Sequence, residues 1–111
     1  MHHTKSGAVD VLDLGGPLNK DTVRAFIESV QVHCYGQGQP RAVVNMHEAT
    51  LLDSSGMEAL LDMQDEFERR GGAIKLAAPT PLCRDILRIS GLLRDFEVFD
   101  TVNRAVGSFA Q

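Results

Sequence analysis

Apolar positions along this chain follow two rhythms that take turns. Val9, Val11, Leu12 and Leu14 read as a strand, stopped by Gly15-Gly16-Pro17. A helix is expected near residues 20–35, because Val23, Phe26, Ile27, Val30 and Cys34 recur on one helical face. Beyond the loop Gly36-Gln37-Gly38-Gln39-Pro40, Ala42-Val43-Val44 opens a second strand whose apolar character resumes at Met46. Met57, Leu60, Leu61, Gln64 and Phe67 then share one side of a helix running to Arg69-Arg70. Cations suit that negative dipole end, and Gly71 supplies a residue able to turn left-handed. A strand near residues 73–78 precedes a helix opened by Pro79 and Pro81, with Leu82, Ile86 and Ile89 as core candidates and Gly91 as its stop. Glu97-Val98-Phe99 reads as a short strand before a last helix bearing Val102, Ala105, Val106 and Phe109. Strands alternating with helices predict an α/β fold: a mostly parallel mixed sheet of about four or five strands, about four helices and right-handed crossovers.

The segment Asp53-Ser54-Ser55-Gly56-Met57 places two hydroxyls where the second strand gives way to a helix. Serine there can be a cap, a nucleophile or a phosphate acceptor. Ser55 and Glu58 have the S-x-x-E spacing of a capping box, which predicts Ser55 as the N-cap and leaves Ser54 just outside the helix and freer. A nucleophilic serine needs a base and usually a G-x-S-x-G elbow, but Leu52-Asp53 precedes Ser54. Of the histidines, His2 and His3 are terminal, and His33 and His47 fall at an expected helix end and strand end. No catalytic residue is assigned and an enzyme is not expected. A phosphate, with about −1.5 to −2 charges, suits the free N–H groups and positive dipole end of a helix start. Asp53 and Glu58 would repel it, so modification is expected to alter the surface strongly without melting the core.

The stretch from Ala42 through Asn45, Met46 and His47 to Asp53-Ser54-Ser55-Gly56-Met57 resembles the signature of STAS domains, especially the anti-sigma factor antagonists. The likeness continues through Gly71-Gly72-Ala73-Ile74-Lys75-Leu76, Pro81, Ile89-Ser90-Gly91-Leu92 and Phe96-Glu97-Val98-Phe99. It implies one STAS domain over residues 8–111 behind a flexible N-terminus of residues 1–7. It further implies that Ser54 is the phosphoacceptor of a serine kinase with the histidine-kinase-like ATPase fold, itself the anti-sigma factor. The unphosphorylated form would bind that kinase and free a sigma factor, and a serine phosphatase would reset the switch. Asp53, Ser55, Gly56, Met57 and Glu58 are the expected contact surface, with Met57 exposed or half-exposed and with Asn19 and Asn45 also expected among the partner-binding residues.

Two departures bear on partner choice. The family commonly carries aspartates where this chain has Asn19 and Asn45, both expected near the phosphoacceptor, so the field at Ser54 should be less negative than usual. Glu58 also adds bulk and charge where the family tends to be small. STAS domains normally begin with a further edge strand, and Met1-His2-His3-Thr4-Lys5-Ser6-Gly7 is a poor strand. An edge left uncovered invites pairing, which makes a homodimer an expectation. His2-His3 reads as terminal or appended sequence rather than a ligand site.

Composition narrows the choice further. At 111 residues and 43% hydrophobic, the chain can bury one core. Fifteen acidic residues against 11 basic disfavour nucleic acid as a direct partner. No apolar run has membrane-spanning length and no signal peptide is evident, so a soluble, cytoplasmic protein without membrane insertion is expected. Cys34 and Cys83 lack metal or redox spacing and read as buried, reduced thiols; neither metal nor cofactor is expected. A second reading is a constitutive STAS adaptor in a transporter, a lipid-export ATPase or a stressosome-type assembly. A small-molecule or nucleotide sensor ranks low, since no glycine-rich phosphate loop is present.

Overall fold

The computed structural model describes residues 1–36 and 38–110; Gln37, inside the expected loop, and Gln111 lie outside the described residues. In chain order the elements are β1 (His2–Ser6), β2 (Val9–Asp13), α1 (Val23–Cys34), β3 (Arg41–Asn45), α2 (Ser54–Arg69), β4 (Ala73–Ala77), α3 (Pro81–Ser90), a 3-10 turn (Leu92–Arg94), β5 (Val98–Phe99) and α4 (Val102–Ser108). The strands form one sheet in the order β1-β2-β3-β4-β5, with β1 antiparallel to β2 and every other neighbour parallel. The α/β expectation holds, with five strands and four α-helices among the described residues.

Covering both faces of the sheet makes its central strands apolar on both sides, the pattern of parallel sheets. Leu12, Val44, Ile74 and Leu76 pack with Phe26 and Val30 of α1, Leu60 and Phe67 of α2 and Leu87 of α3. Val9, Val11, Val43 and Ala77 face the other way, onto Ala105 of α4 and its flanking Val102, Val106 and Phe109. Because β5 is only two residues long, Ile74 of β4 has no strand partner on that side. Gln64 fills the gap: its Oε1 accepts from the Ile74 N–H at 2.8 Å, and its Nε2 donates to the Ile74 carbonyl at 3.1 Å and the Asp95 carbonyl at 3.0 Å. A buried amide thus completes the sheet edge, and each of its polar atoms is bonded.

The N-terminus departs from expectation. Residues 2–6 form β1, paired from His2↔Asp13 to Ser6↔Val9 across a turn in which Gly7 has φ +61°. Its sequence offers no apolar alternation, so burial cannot announce it. It is held instead by the backbone ladder and by Asp10, a 3% exposed carboxylate that takes His3 Nε2 at 2.8 Å and Lys5 Nζ at 3.4 Å. The His3 ring also stacks on His33 of α1, centroids 3.8 Å apart, so this histidine is built into the fold. With β1 on the flank of β2, a dimer formed through an uncovered β2 edge loses its basis.

A second departure is the register of α3. Cys83 and Leu87 are buried, Ile86 is half-buried, and Leu82 and Ile89 are 51% and 81% exposed. Both faces carry apolar residues, and the helix start decides between them. Thr80 caps through its Oγ1, which accepts from the Cys83 N–H at 3.2 Å and donates to the Ala49 carbonyl at 3.2 Å, turning Cys83 inward. On α2, Leu60, Gln64 and Phe67 face the core as expected, whereas Leu61 is 36% exposed. Cys34 and Cys83 are free and buried. Burial, aided by the nearby Asp10 carboxylate, pushes the Cys34 thiol up to about 12.

Candidate functional site

The carboxyl ends of parallel strands are where open α/β sheets present their loops. Here the β2–α1 and β3–α2 loops clasp each other at that end. Leu18 N–H donates to the Leu51 carbonyl at 2.9 Å, and Asp53 N–H donates to the Leu18 carbonyl at 3.2 Å. Leu18 and Leu52 themselves are 1% and 2% exposed. Gly56 sits against this clasp: a Cβ there would lie 2.4 Å from the Leu18 oxygen and 2.9 Å from Leu52 Cδ1. Glycine at 56 therefore serves close approach of the two loops, and it is buried rather than displayed.

Asp53, not Ser55, is the N-cap of α2. Its backbone is extended (φ −97°, ψ −176°), and its Oδ1 accepts from the Gly56 N–H at 2.9 Å. The expected Ser55–Glu58 capping box does not form, because the helix starts one residue earlier and Ser55 already lies inside its first turn. A carboxylate at this place also complements the positive dipole end. The second oxygen, Oδ2, accepts from the Lys20 N–H at 3.2 Å, so one aspartate fixes both the helix start and the neighbouring loop.

Ser54 becomes the first helical residue and is exposed, directly after this anchored aspartate. Ser55 is half-buried, Met57 is half-buried with its side chain against the core, and Glu58 is exposed. Ser54 and Glu58 thus lie open to solvent on a surface whose backbone is fixed beneath them.

The two asparagines part company. Asn19 is beside the motif, since Lys20 bonds Asp53, and its Oδ1 accepts from the N–H groups of Asp21 at 2.9 Å and Thr22 at 3.1 Å to shape the entry to α1. Asn45 ends β3, where its Nδ2 donates to Asp13 Oδ1 at 2.8 Å and its Oδ1 accepts from the His47 N–H at 3.3 Å. An aspartate at 45 would set two carboxylates against each other. The amide is what Asp13 requires, and a negative charge is retained at this end of the sheet, one strand away from where the resemblance looks for it. Asp13 and Lys20 were not singled out in the sequence; the signal for Asp13 was a second charge, after Asp10, at the end of the strand Val9–Asp13.

His3 and His33 stack near Asp10 at the start of β2, away from its carboxyl end, and both cysteines are buried. Among the described residues no group of three or more His, Cys, Asp or Glu side chains could hold a metal ion. Nor is any described helix long and apolar enough to cross a membrane.

The matched family model is that of the STAS domain, over residues 3–105. The chain belongs to the STAS domain family. No curated protein matches it. Among solved structures it is similar to an anti-sigma factor antagonist from Mycobacterium paratuberculosis, with TM-score 0.87 and 18% identity over 99% of this chain and 92% of that one. It is similar also to the unphosphorylated anti-sigma factor antagonist SpoIIAA, with TM-score 0.80 and 21% identity over 98% and 95%. A third likeness is to the murine solute carrier 26 family member A9 anion transporter, with TM-score 0.79 and 18% identity over 93% of this chain but 18% of that one. At these identities the likeness is one of fold.

Proposed function

We propose that this chain is a phosphorylatable binding module of the anti-sigma factor antagonist type, with Ser54 as its switch. The observation that carries the reading is the exposed Ser54 at the first position of α2, immediately after an aspartate whose two oxygens are bound to the Gly56 and Lys20 N–H groups. With the carboxylate of Asp53 committed to backbone, a kinase meets the exposed Ser54 on a preformed surface. A phosphate there adds about −1.5 to −2 charges beside the exposed Glu58, changing what the surface repels while leaving the buried clasp of Leu18, Leu52 and Gly56 intact. Ser54, Ser55, Glu58, the exposed side of Met57 and the loop around Asn19 and Lys20 form the contact surface; Asn45 acts from behind it through Asp13. Gly56 serves by keeping the loops together.

The partner in this reading is an anti-sigma factor that is also a serine kinase of the histidine-kinase-like ATPase fold. A serine phosphatase resets the switch, the chain itself catalyses nothing, and the exchange takes place in the cytoplasm. The similarity to part of an anion transporter supports a second reading, a constitutive adaptor subunit. One experiment separates them: wild-type and Ser54→Asp proteins serve as paired baits in lysate of the native cell, with retained proteins identified by mass spectrometry. Capture of an ATPase-fold kinase by wild type alone supports the switch. Equal capture of a transporter or assembly subunit by both baits supports the adaptor and defeats the switch.

A further inference from the structure

The α3 helix carries an apolar line that is open to solvent at both ends and rests against the core at its middle. Leu82 and Ile89 are 51% and 81% exposed, and the half-buried Ile86 lies between them, so positions i, i+4 and i+7 make one continuous line along the helix. A single exposed leucine needs no explanation, but three aliphatic side chains in register on one short helix do. Beside the line, on one flank only, lie Asp85 and Arg88, whose exposed side chains form an ion pair at 2.8 Å.

Leu82 lies four residues before Ile86 and Ile89 three after it, within one residue of symmetry about Ile86. In an antiparallel pair of α3 helices related by a two-fold axis, Ile86 meets Ile86 of the second copy, and Leu82 meets Ile89. The same flank of each helix is then brought face to face, so Asp85 of one copy meets Arg88 of the other and the two intrachain pairs merge into a four-charge network. Arg84 is held away from this flank by Asp100, at 3.3 Å. A foreign partner would require no such self-complementarity.

We propose that the exposed stripe of α3 is a dimer surface whose occupant is the α3 helix of a second copy of this chain. This surface is distinct from the β2 edge, which β1 covers. A single ten-residue helix is small against the ~800 Å² per partner of a standard interface, so a weak dimer is expected.

Sedimentation equilibrium of the full chain from about 10 µM to about 1 mM tests it. Wild type is expected to pass from monomer to dimer in this range, and Ile89→Glu, at a position already open to water, is expected to stay folded by circular dichroism and monomeric throughout. The charge pair supplies the decisive arm. Asp85→Arg gives a chain with two cations on the flank, and Arg88→Asp gives one with two anions; each alone opposes like charges and should dimerise about tenfold more weakly. Mixed in equal amounts, the two variants should form a heterodimer, which no intrachain effect of either substitution can produce. A wild type still monomeric at about 1 mM, leaving the stripe to a different protein, overturns the proposal, as does a dimer indifferent to Ile89→Glu or a mixture that fails to associate.

Discussion

Replacing Asp53 with alanine removes two anchors at once. The Oδ1 bond to the Gly56 N–H, at 2.9 Å, is the cap of α2, and losing such a cap costs about 1 kcal/mol. The Oδ2 bond to the Lys20 N–H, at 3.2 Å, lies at the surface and contributes toward the lower end of the usual range, about 0.5–1 kcal/mol. Together Asp53→Ala should destabilise the chain by about 1.5–2 kcal/mol, or a fall in Tm of about 6–8 °C for a domain of this size. Asn retains one acceptor for the helix start, so Asp53→Asn should cost less than about 1 kcal/mol. Ser55→Ala, inside the first turn, should stay within about 0.5 kcal/mol of wild type. Urea unfolding followed by far-UV circular dichroism, with m unchanged across the set, provides the comparison. A Ser55→Ala loss of about 1 kcal/mol or more beside an unaffected Asp53→Ala would show that Ser55 is the cap and refute the site geometry.

Two further outcomes follow from the interior. Gln64→Leu leaves the Ile74 N–H and the Ile74 and Asp95 carbonyls without their partner, and should cost about 2–4 kcal/mol in urea unfolding; a midpoint unchanged from wild type would contradict the edge-completing role. Cys34 makes stability fall in alkali: the thiol is raised from 9.0 to about 12 by burial and by Asp10, so its contribution is fully present below about pH 9 and is lost as the unfolded chain ionises first between the two values. Tyr35, also raised by burial and then by Glu66, acts in the same direction. Unfolding free energies measured from pH 8 upward should decline, and Cys34→Ala should flatten the slope; an equal slope in that variant would contradict the assignment.

Much of the fold was legible because burial dictated it. The strands beginning at Val9 and Ala42 and the helices carrying Phe26 and Phe67 announce themselves through apolar spacing, and the left-handed positions Gly71 and Gly91 mark two helix ends at φ +81° and +85°. What was not legible rests on other forces. β1 is held by backbone pairing and a buried Asp10, neither of which leaves an apolar pattern. The face of α3 was decided by the Thr80 cap between two apolar alternatives, and the capping box at Ser55 lost to Asp53, which reaches a second loop that spacing cannot reveal. The motif itself was visible as a unit, while the division of labour within it, with Gly56 packed, Asp53 anchoring and Ser54 open, needed the clasp between the loops.

The central claim is that Ser54 is the switch, and the most direct measurement is tandem mass spectrometry of the protein isolated from its native cells, with the modified residue located within the Asp53–Met57 segment. A phosphate on Ser54, absent from Ser55 and lost in cells carrying Ser54→Ala, is the predicted result. A segment that stays unmodified in every growth condition, or one phosphorylated at Ser55 alone, would contradict the account.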